Sequence, residues 1–485
     1  MLLIPDPTSG EAVAEGKIPV DALAARHAPA MLRLAAAYTA TVLISIALFL
    51  LIAARGAGLV AQGFSGFGTG TPPEAVDTFA HVLLALLVVL AASRVAGALF
   101  RFLHQPAVIG EICVGILLGP SLLGQAAPGL STYLFPASIN TSLGLIAETG
   151  VVAFMFLVGL EFNPRLLSIG SHAAVAISHA GIVVPFVLGS GLALAIYPTF
   201  ATQDVPFSVF AMFMGISMSV TAFPVLARIL RERQFSTTRI GTIALTCAAV
   251  GDATAWCLLA VFVGFARARA ADGLLTAYLT VGYVLLMVAI VRPQLTRFLR
   301  RYDDRELSQG GVAVVVAGLL LSTLATQAIG IHALFGAFLF GAIIPDDAMV
   351  ARQIRNNLEN VILVVLLPMF FAYTGLRTQI GLINGPGYLL VLASIIAVAC
   401  AGKFGGSLIA ARLTGVRWSE AAILATLMNT RGLMELIVLN LGLDLKILSP
   451  TLFAMLVVMA VVTTFLTTPV VDLLIPRSRL SMDAA

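Results

Sequence analysis

The chain has little charge and little cysteine. Charged residues make up 11% of its 485 residues, whereas soluble domains carry roughly 25%. The four cysteines lie inside apolar runs, with neither zinc-ligand spacing nor a disulfide framework. The net charge of +4 arises in the loops and does not indicate nucleic-acid binding. With a hydrophobic content of 59%, the composition predicts an all-α polytopic membrane protein.

Motifs of nucleotide-driven proteins and of enzymes are also missing. The sequence has no GxGxxG unit, no GxxxxGK[ST] loop and no long hydrophilic stretch, which argues against ATP-driven pumping. Its histidines and acids are too scattered for the metal or nucleophile constellation of a membrane-embedded enzyme. We therefore expect no enzymatic activity, no cofactor and no resident metal.

Long apolar runs fill most of the chain. A transmembrane helix needs about 20 apolar residues, and this length selects fourteen candidate spans. The first would be an extra N-terminal helix, followed by thirteen core helices in a transmembrane domain over 78–476, and the tenth is short for a full crossing. The spans are 34–54, 78–99, 106–123, 141–161, 172–197, 207–230, 240–265, 274–292, 310–328, 332–345, 359–377, 388–411, 420–442 and 450–474.

The basic residues indicate how these spans are oriented. Lys and Arg concentrate in cytoplasmic loops, and most basic loop residues of this chain fall on one side of the membrane. The sparse side holds Arg55, Arg267, Arg269, Arg377 and Lys446. This asymmetry places the N-terminal segment 1–33 and the tail 477–485 in the cytoplasm. We predict that the chain is an integral protein of the bacterial inner membrane.

Asp252 lies at the midpoint of an otherwise uncharged apolar span, 240–265. A carboxylate at the bilayer centre is costly unless it faces protein or a water-filled cavity, and such residues commonly mark ion or proton pathways. We therefore predict that Asp252 binds an ion or a proton. The structural alternative is a carboxylate tied to Lys403, the only lysine inside a span.

Two spans carry residues that interrupt a membrane helix. Span 207–230 contains Pro224, which removes an amide donor and clashes with the preceding turn. Span 420–442 carries the polar run 427–435, LMNTRGLME, at similar depth. We predict that both helices unwind near mid-membrane and cross one another. The alternatives are a proline kink and a continuous helix with an internal Arg431–Glu435 pair.

Two segments of the chain resemble two later ones. FMFLVGLE at 154–161 resembles MFFAYTGLR at 369–377, and EICVGILLGP at 111–120 resembles ALFGAFLFGAIIP at 333–345. The partners are seven spans apart, so they cross the membrane in opposite directions. Inverted repeats of this kind, here about 106–265 and 332–474, build many secondary transporters. Chance packing motifs of the GxxxG type are the alternative explanation.

The sequence resembles the monovalent cation:proton antiporters of the second cation:proton antiporter family, which includes bacterial sodium/proton antiporters, potassium efflux antiporters and plant cation/proton exchangers. The resemblance covers about 105–476. Its motifs are QPAVIGEICVGILLGPSLLG (105–124), MFLVGLEF (155–162), SVTAFPVLARIL (219–230), GDATAW (251–256), GKFGG (402–406) and NTRGLMELIVLNLG (429–442).

The resemblance implies a homodimer in the lipid bilayer, with a dimerisation scaffold and a mobile core that carries the ion by an elevator-like movement. It maps the essential ion-binding carboxylate onto Asp252 and a partner lysine onto Lys403. The residue before the essential carboxylate, Asp in many sodium antiporters, is Gly251 here. This departure removes a second carboxylate or amide from the site.

The remaining candidates are weighed against structural roles. Hydroxyl or carbonyl oxygens of Ser219, Thr221 and Thr254 are candidate cation ligands, or ordinary caps within a broken helix. Arg431 and Glu435 are expected to stabilise the core, with Arg431 facing Glu435 or the C-terminal end of a half-helix.

Asn429 belongs to the polar run 427–435 and is expected to stabilise the same core as Arg431 and Glu435. The roles of three further side chains are less specified by the sequence. Glu111 and Glu148 are structural acceptors or a proton entry route. His179 is expected to be a packed core histidine rather than a pH sensor.

The predicted function is a secondary active antiporter that exchanges protons for K+ or Na+, with no metal other than this transported ion. Burial disfavours the charged form of Asp252 and Lys403 favours it, so proton and cation would compete there. With a single titrating carboxylate, we expect electroneutral exchange. The alternatives are an inverted-repeat transporter of an organic ion and a cation channel, although no TVGYG-like filter appears.

Overall fold

The chain is an all-helical integral membrane protein. The computed structural model describes residues 43–56, 78–161, 172–203, 205–233, 238–267, 272–300, 309–345 and 349–474, with positions 40 and 235. Within them, extended backbone pairs only at an isolated bridge between Ala201 and Leu448. Ten of the described helices are long and apolar enough to cross a membrane, and one bent pair makes an eleventh.

Residues 1–48 and 49–485 form two compact units, and almost all described residues belong to the second. Its long helices and half-helices begin and end as follows: Thr78–Phe102, Ala107–Leu118, Asn140–Glu161, His172–Phe200, Phe207–Ser219, Phe223–Glu232, Arg239–Arg267, Asp272–Leu286, Arg292–Leu299, Gln309–Ile329, Ala333–Ala342, Met349–Val361, Leu367–Leu376, Pro386–Leu413, Trp418–Met428, Leu433–Asp444 and Pro450–Leu474.

Most predicted spans correspond to one of these helices, with two informative differences. The first predicted span, 34–54, is described only in its later part, as an apolar helix over Leu43–Gly56. The second difference concerns the predicted span 359–377, because the helix that contains its start begins earlier, at Met349. Its first turns carry Arg352, Arg355 and Glu359. A search for apolar runs detects the hydrocarbon-spanning part of a helix and misses a polar extension. The segments 1–33 and 477–485 lie outside the described residues.

Two helices contain a π-helical turn directly before a proline. The turns are Met287–Val291 and Ile362–Leu366, and Pro293 and Pro368 follow two residues later. A proline ring clashes with the carbonyl four residues earlier and supplies no amide donor. A widened turn relieves that clash and lets the helix continue.

Within the second unit, the helices pack into two groups. We call the first the crossing group. It contains four half-helices and four long helices: Phe207–Ser219, Phe223–Glu232, Trp418–Met428, Leu433–Asp444, His172–Phe200, Arg239–Arg267, Pro386–Leu413 and Pro450–Leu474. The flanking group contains Thr78–Phe102, Ala107–Leu118, Asn140–Glu161, Gln309–Ile329, Ala333–Ala342 and Leu367–Leu376. Packing is dense within each group and sparse between them, although one buried apolar cluster extends through both.

Two glycine contacts hold the flanking group together at backbone distance. A Cβ atom on Gly375 would lie 2.4 Å from the carbonyl carbon of Gly115, and one on Gly159 would lie 2.2 Å from the carbonyl oxygen of Phe338. The first contact joins Ala107–Leu118 to Leu367–Leu376, and the second joins Asn140–Glu161 to Ala333–Ala342. Only glycine allows helices to approach this closely.

Candidate ion site

Two interrupted helices meet in the middle of the crossing group. The first is broken at Val220–Ala222, between Phe207–Ser219 and Phe223–Glu232, and Val220 is extended with φ −64° and ψ 139°. The second is broken at 429–432, and its halves are bent by 40°. The Ala222 amide donates a hydrogen bond of 3.1 Å to the Thr430 carbonyl, so the two breaks are joined directly.

Gly432 allows this close crossing. A Cβ atom there would lie 2.6 Å from a methyl carbon of Val225. In the first break, Pro224 is the second residue of the following half-helix, where a missing amide donor costs little. The interruption predicted from Pro224 and from the polar run 427–435 is therefore present in both helices.

Two buried cations cap the end of the half-helix Phe207–Ser219. Arg431, 0% exposed, donates to the carbonyls of Ser217 at 2.9 Å and Met218 at 2.8 Å. The Lys403 ammonium, 1% exposed, donates to the Ser219 carbonyl. The last carbonyls of a helix lack partners in the helix and carry partial negative charge, so both cations are stabilising there.

Arg431 also forms a buried ion pair with Glu435, one turn later in the second half of its own broken helix. The Thr464 hydroxyl accepts from the Arg431 amide at 2.9 Å and donates to its carbonyl at 2.7 Å. Arg431 therefore contacts both predicted partners, Glu435 and the half-helix end. Nearby, the Asn429 side-chain amide donates to the Cys400 sulfur at 3.5 Å, and its oxygen has no protein partner.

Asp252 lies in the same region without a hydrogen-bond partner for its carboxyl group. It is 5% exposed, and neither carboxylate oxygen has a protein partner at hydrogen-bond distance and angle. The Phe223 amide, at the start of a half-helix, lies near the carboxylate. A helix N-terminus favours an anion. Lys403 interacts with Asp252 electrostatically but forms no ion pair with it.

A small cavity adjoins the Asp252 side chain. Its volume is about 10 Å³, and it is lined by Val220, Asp252, Ala255, Trp256, Leu259, Met434 and Val438. This volume is close to the minimum that holds one water molecule. The residues come from the first break, the Asp252 helix and the second broken helix, so the cavity lies where the three elements meet.

The predicted oxygen ligands are arranged around this site rather than along the cavity. Thr221 accepts a hydrogen bond from Lys403. The Ser219 hydroxyl bonds the carbonyls of Ile182 and Gly215 at 2.9 and 2.7 Å. The Thr254 hydroxyl donates to the Val250 carbonyl at 2.8 Å. None of the three hydroxyl residues belongs to the cavity lining.

Of the seven residues named in this lining, sequence reasoning singled out only Asp252. Val220 belongs to the extended backbone of the first break, and Trp256 belongs to the Asp252 helix. Trp256 is four residues after Asp252, and residues at that spacing share a helix face. The spacing could have identified it.

Position 251 lies next to Ser178 of the helix His172–Phe200. A Cβ atom on Gly251 would lie 3.3 Å from the Ser178 hydroxyl, which is buried and has no protein partner. The space beside Gly251 is therefore bordered by the helix His172–Phe200, whereas Lys403 bonds to Ser219 and Thr221.

A second and larger cavity lies between the crossing and flanking groups. Its volume is about 260 Å³, and its lining includes Glu148, His332, Tyr373, Arg377, Asn440 and Asp444. Arg377, at the end of a flanking helix, bonds Asn440 at 3.1 Å and Asp444 at 2.6 Å in the crossing group. The Asn440 amide also donates to the Thr374 hydroxyl at 2.7 Å.

The histidine predicted to pack in the core has a local partner. A ring nitrogen of His179 lies 2.8 Å from the Val175 carbonyl, one turn earlier in its own helix. Among the described residues there is no group of three or more His, Cys, Asp or Glu side chains that would hold a metal ion.

The chain matches the sodium/hydrogen exchanger transmembrane family over residues 82–474. It is similar to the Na+/H+ antiporter NhaS4 of Synechocystis, with 42% identity over 406 residues that cover 82% of this chain and 98% of the relative. Cation/H+ antiporter 20 of Arabidopsis thaliana is 39% identical over 81% of this chain and 48% of the relative. The K+/H+ antiporter 1 of Saccharomyces cerevisiae is 33% identical over 78% of this chain and 44% of the relative.

The chain thus spans almost all of the cyanobacterial relative and about half the length of the plant and yeast relatives. Among solved structures, the sodium proton antiporter MjNhaP1 of Methanocaldococcus jannaschii has a similar fold. The TM-score is 0.58, with 15% sequence identity, over 81% of this chain and 96% of that structure.

Proposed function

Since the chain belongs to the sodium/hydrogen exchanger family, we propose that it is a secondary active antiporter that exchanges protons for a monovalent cation, K+ or Na+. Its relatives are named as antiporters of Na+, of K+ and of unspecified cations. The names support exchange against protons and leave the choice between K+ and Na+ open.

The observation that carries the proposal is the unmatched carboxylate of Asp252. The other buried charges of the site have partners: Arg431 pairs with Glu435, and Lys403 bonds to two oxygens of the first broken helix. Asp252 is buried and has no such partner. A lone carboxylate in the membrane interior is costly, and either a bound proton or a bound cation removes its charge.

Competition for this one carboxylate gives the exchange cycle. Cation binding requires that the proton leaves Asp252, and proton binding requires that the cation leaves. The empty site is disfavoured from crossing the membrane because Asp252 would remain ionised in low dielectric with neither a proton nor a cation bound to it. We propose that Ser219 and Thr221 support the site through bonds at the end of the half-helix Phe207–Ser219, and that Thr254 supports it through its bond within the Asp252 helix. Lys403 fills the same supporting role as a cation cap.

We propose an elevator-type movement of the crossing group along the flanking group. Sparse packing between the two groups supports it, as does the cavity that separates them near Glu148 and Asp444. The contacts of Arg377 with Asn440 and Asp444 join the groups on one side of this cavity. In this proposal they break and re-form during each cycle.

The inverted repeats predicted from sequence are part of the same proposal. Sequence similarity pairs the segment 111–120, which contains Gly115, with 333–345, which contains Gly341. It pairs the segment 154–161, which contains Gly159, with 369–377, which contains Gly375. The glycine contacts join Gly115 to Gly375 and Gly159 to Gly341. Exchanging the repeats converts one contact into the other, which is the relation that a two-fold axis in the membrane plane produces.

Other parts of the assignment are also proposals. They are thirteen core helices after one extra N-terminal helix, both termini in the cytoplasm, a homodimer in the bacterial inner membrane, and electroneutral exchange. No enzymatic activity and no cofactor are proposed. With Gly251 beside it, Asp252 is the one carboxylate of the site that changes charge in this scheme, so one proton would move for each cation.

The direct test is exchange by the purified protein in proteoliposomes. An imposed pH gradient should dissipate on addition of K+ or Na+, with saturation, and a series of Na+, K+, Rb+ and Li+ would rank the cations. A cation channel would instead pass current along a K+ or Na+ gradient at uniform pH. An organic-ion transporter would leave the pH gradient intact with all four cations.

A further inference from the structure

Trp256 lies beside Asp252 in the wall of the small cavity. It follows Asp252 by four residues, which places both side chains on one face of the helix Arg239–Arg267. The side chain is 4% exposed. Its ring packs edge-on against Phe335 of the flanking group, with ring centroids 5.7 Å apart, and its indole N–H has no protein partner.

Among the lining residues that the structure describes, Trp256 and Asp252 are the two with polar side chains. One offers an unpartnered donor and the other two unpartnered acceptors. Buried polar groups in proteins are nearly always satisfied by protein or by ordered water. The cavity of about 10 Å³ has room for one water molecule, and its other side chains are apolar.

We propose that one water molecule bridges the Trp256 indole and the Asp252 carboxyl group, and that this water is a ligand of the transported cation. Trp256 is then a positioning residue of the ion site. The proposal rests on the proposed antiport function, with Asp252 as the ion-binding residue.

A water oxygen has two lone pairs, and this geometry uses both. One accepts the Trp256 N–H in every state. The other accepts the O–H of Asp252 when the carboxyl group carries the proton. When the proton leaves and a cation binds the carboxylate, the same lone pair coordinates the cation. Hard alkali cations prefer oxygen ligands, and a ligand held in place by a neighbouring donor binds more tightly than a free one.

The first test compares Trp256→Phe with wild type in proteoliposomes. Phenylalanine removes the N–H donor and keeps an aromatic ring against Phe335. The half-saturating cation concentration should rise about tenfold, as for losses of groups that orient a metal ligand, while the maximal rate stays within about twofold. Trp418→Phe is the matched control, since Trp418 is 66% exposed and stacks on Arg412. This control should behave as wild type.

A second replacement separates the donor from the shape of the ring. Benzothienylalanine at position 256 keeps the bicyclic ring and has sulfur in place of the N–H group. The inference predicts the same rise in half-saturating concentration as in Trp256→Phe. A wild-type value for this variant would overturn the inference, because the ring would then act by packing alone.

The third test measures binding without transport. The chain has two tryptophans, so Trp256 is the single tryptophan of the Trp418→Phe protein. Cation titration should change its emission with saturation, and Asp252→Asn in the same background should abolish the change. No change in emission with saturating cation would contradict a water ligand held by the indole.

The outcomes also distinguish this inference from the function on which it rests. If Asp252→Asn abolishes exchange and Trp256→Phe keeps the wild-type half-saturating concentration, the bridging water is wrong and the antiporter assignment stands. If Asp252→Asn exchanges at the wild-type rate, both are wrong.

Discussion

Loss of Arg431 should destabilise the protein far more than loss of an arginine in an exposed ion pair. Arg431→Met would leave the buried Glu435 carboxylate without its partner and would uncap the carbonyls of Ser217 and Met218. Breaking a buried ion pair from one side costs about 3–5 kcal/mol. Each carbonyl that loses its donor adds about 1–3 kcal/mol where water cannot reach it.

The matched control is Arg377→Met. Arg377 also pairs with a carboxylate, that of Asp444, but the two side chains are 23% and 48% exposed. Exposed pairs contribute about 0–1 kcal/mol. Replacing Glu435 by Gln in the Arg431→Met protein should recover part of the loss, because the second change removes the stranded charge.

The assay is denaturant unfolding of the purified variants in mixed micelles, followed by helical circular dichroism. We expect a loss of at least about 3 kcal/mol for Arg431→Met and at most about 1 kcal/mol for Arg377→Met. Equal, small losses for both variants would refute the reasoning that Arg431 caps the half-helix and balances Glu435. A double variant less stable than Arg431→Met would also refute it.

Three further predictions follow from the site and the two helix groups. Lys403→Gln removes a positive charge that favours the ionised form of Asp252, so the pH profile of exchange should move to higher pH with a smaller effect on the maximal rate; an unchanged profile would exclude the lysine from the mechanism. Thr374 and Asn440 can both be replaced by cysteine in a background without the native cysteines. A mercury bridge between the two new cysteines should link the crossing and flanking groups and stop exchange, whereas the unlinked double variant should stay active. Exchange by the linked protein would contradict the elevator movement. Exchange should produce no sustained current on solid-supported membranes, because one proton would move for each cation. Each extra charge moved would be worth about 2.3 kcal/mol per 100 mV, and a sustained current would show that a second proton moves.

The all-helical membrane architecture and the two helix breaks could be predicted because single residues dominate the energetics there. Asp252 stands out as the one acidic or basic side chain in 240–265, and Pro224 marks the first break. The polar run 427–435 marks the second break for the same reason, since such residues are costly in a continuous lipid-facing helix. The family resemblance is confirmed by the match over residues 82–474.

The details of the site could not be predicted, because they depend on tertiary contacts. The hydroxyls of Ser219 and Thr254 bond to nearby carbonyls, an outcome that depends on which neighbouring atoms each hydroxyl reaches. Lys403 bonds to Ser219 and Thr221 instead of pairing with Asp252, since the helix end offers it nearer acceptors. The helix start at Met349 was missed because its polar turns extend past the apolar run.

In the proposed cycle, Asp252 is the group that binds proton and cation in turn. The decisive measurement is cation-driven dissipation of a pH gradient by purified Asp252→Asn in proteoliposomes, with a check that the variant is folded and inserted. Asparagine keeps the size of the side chain and cannot change its charge. We expect a folded protein with no exchange at any cation concentration. Exchange at the wild-type rate would contradict the role proposed for Asp252.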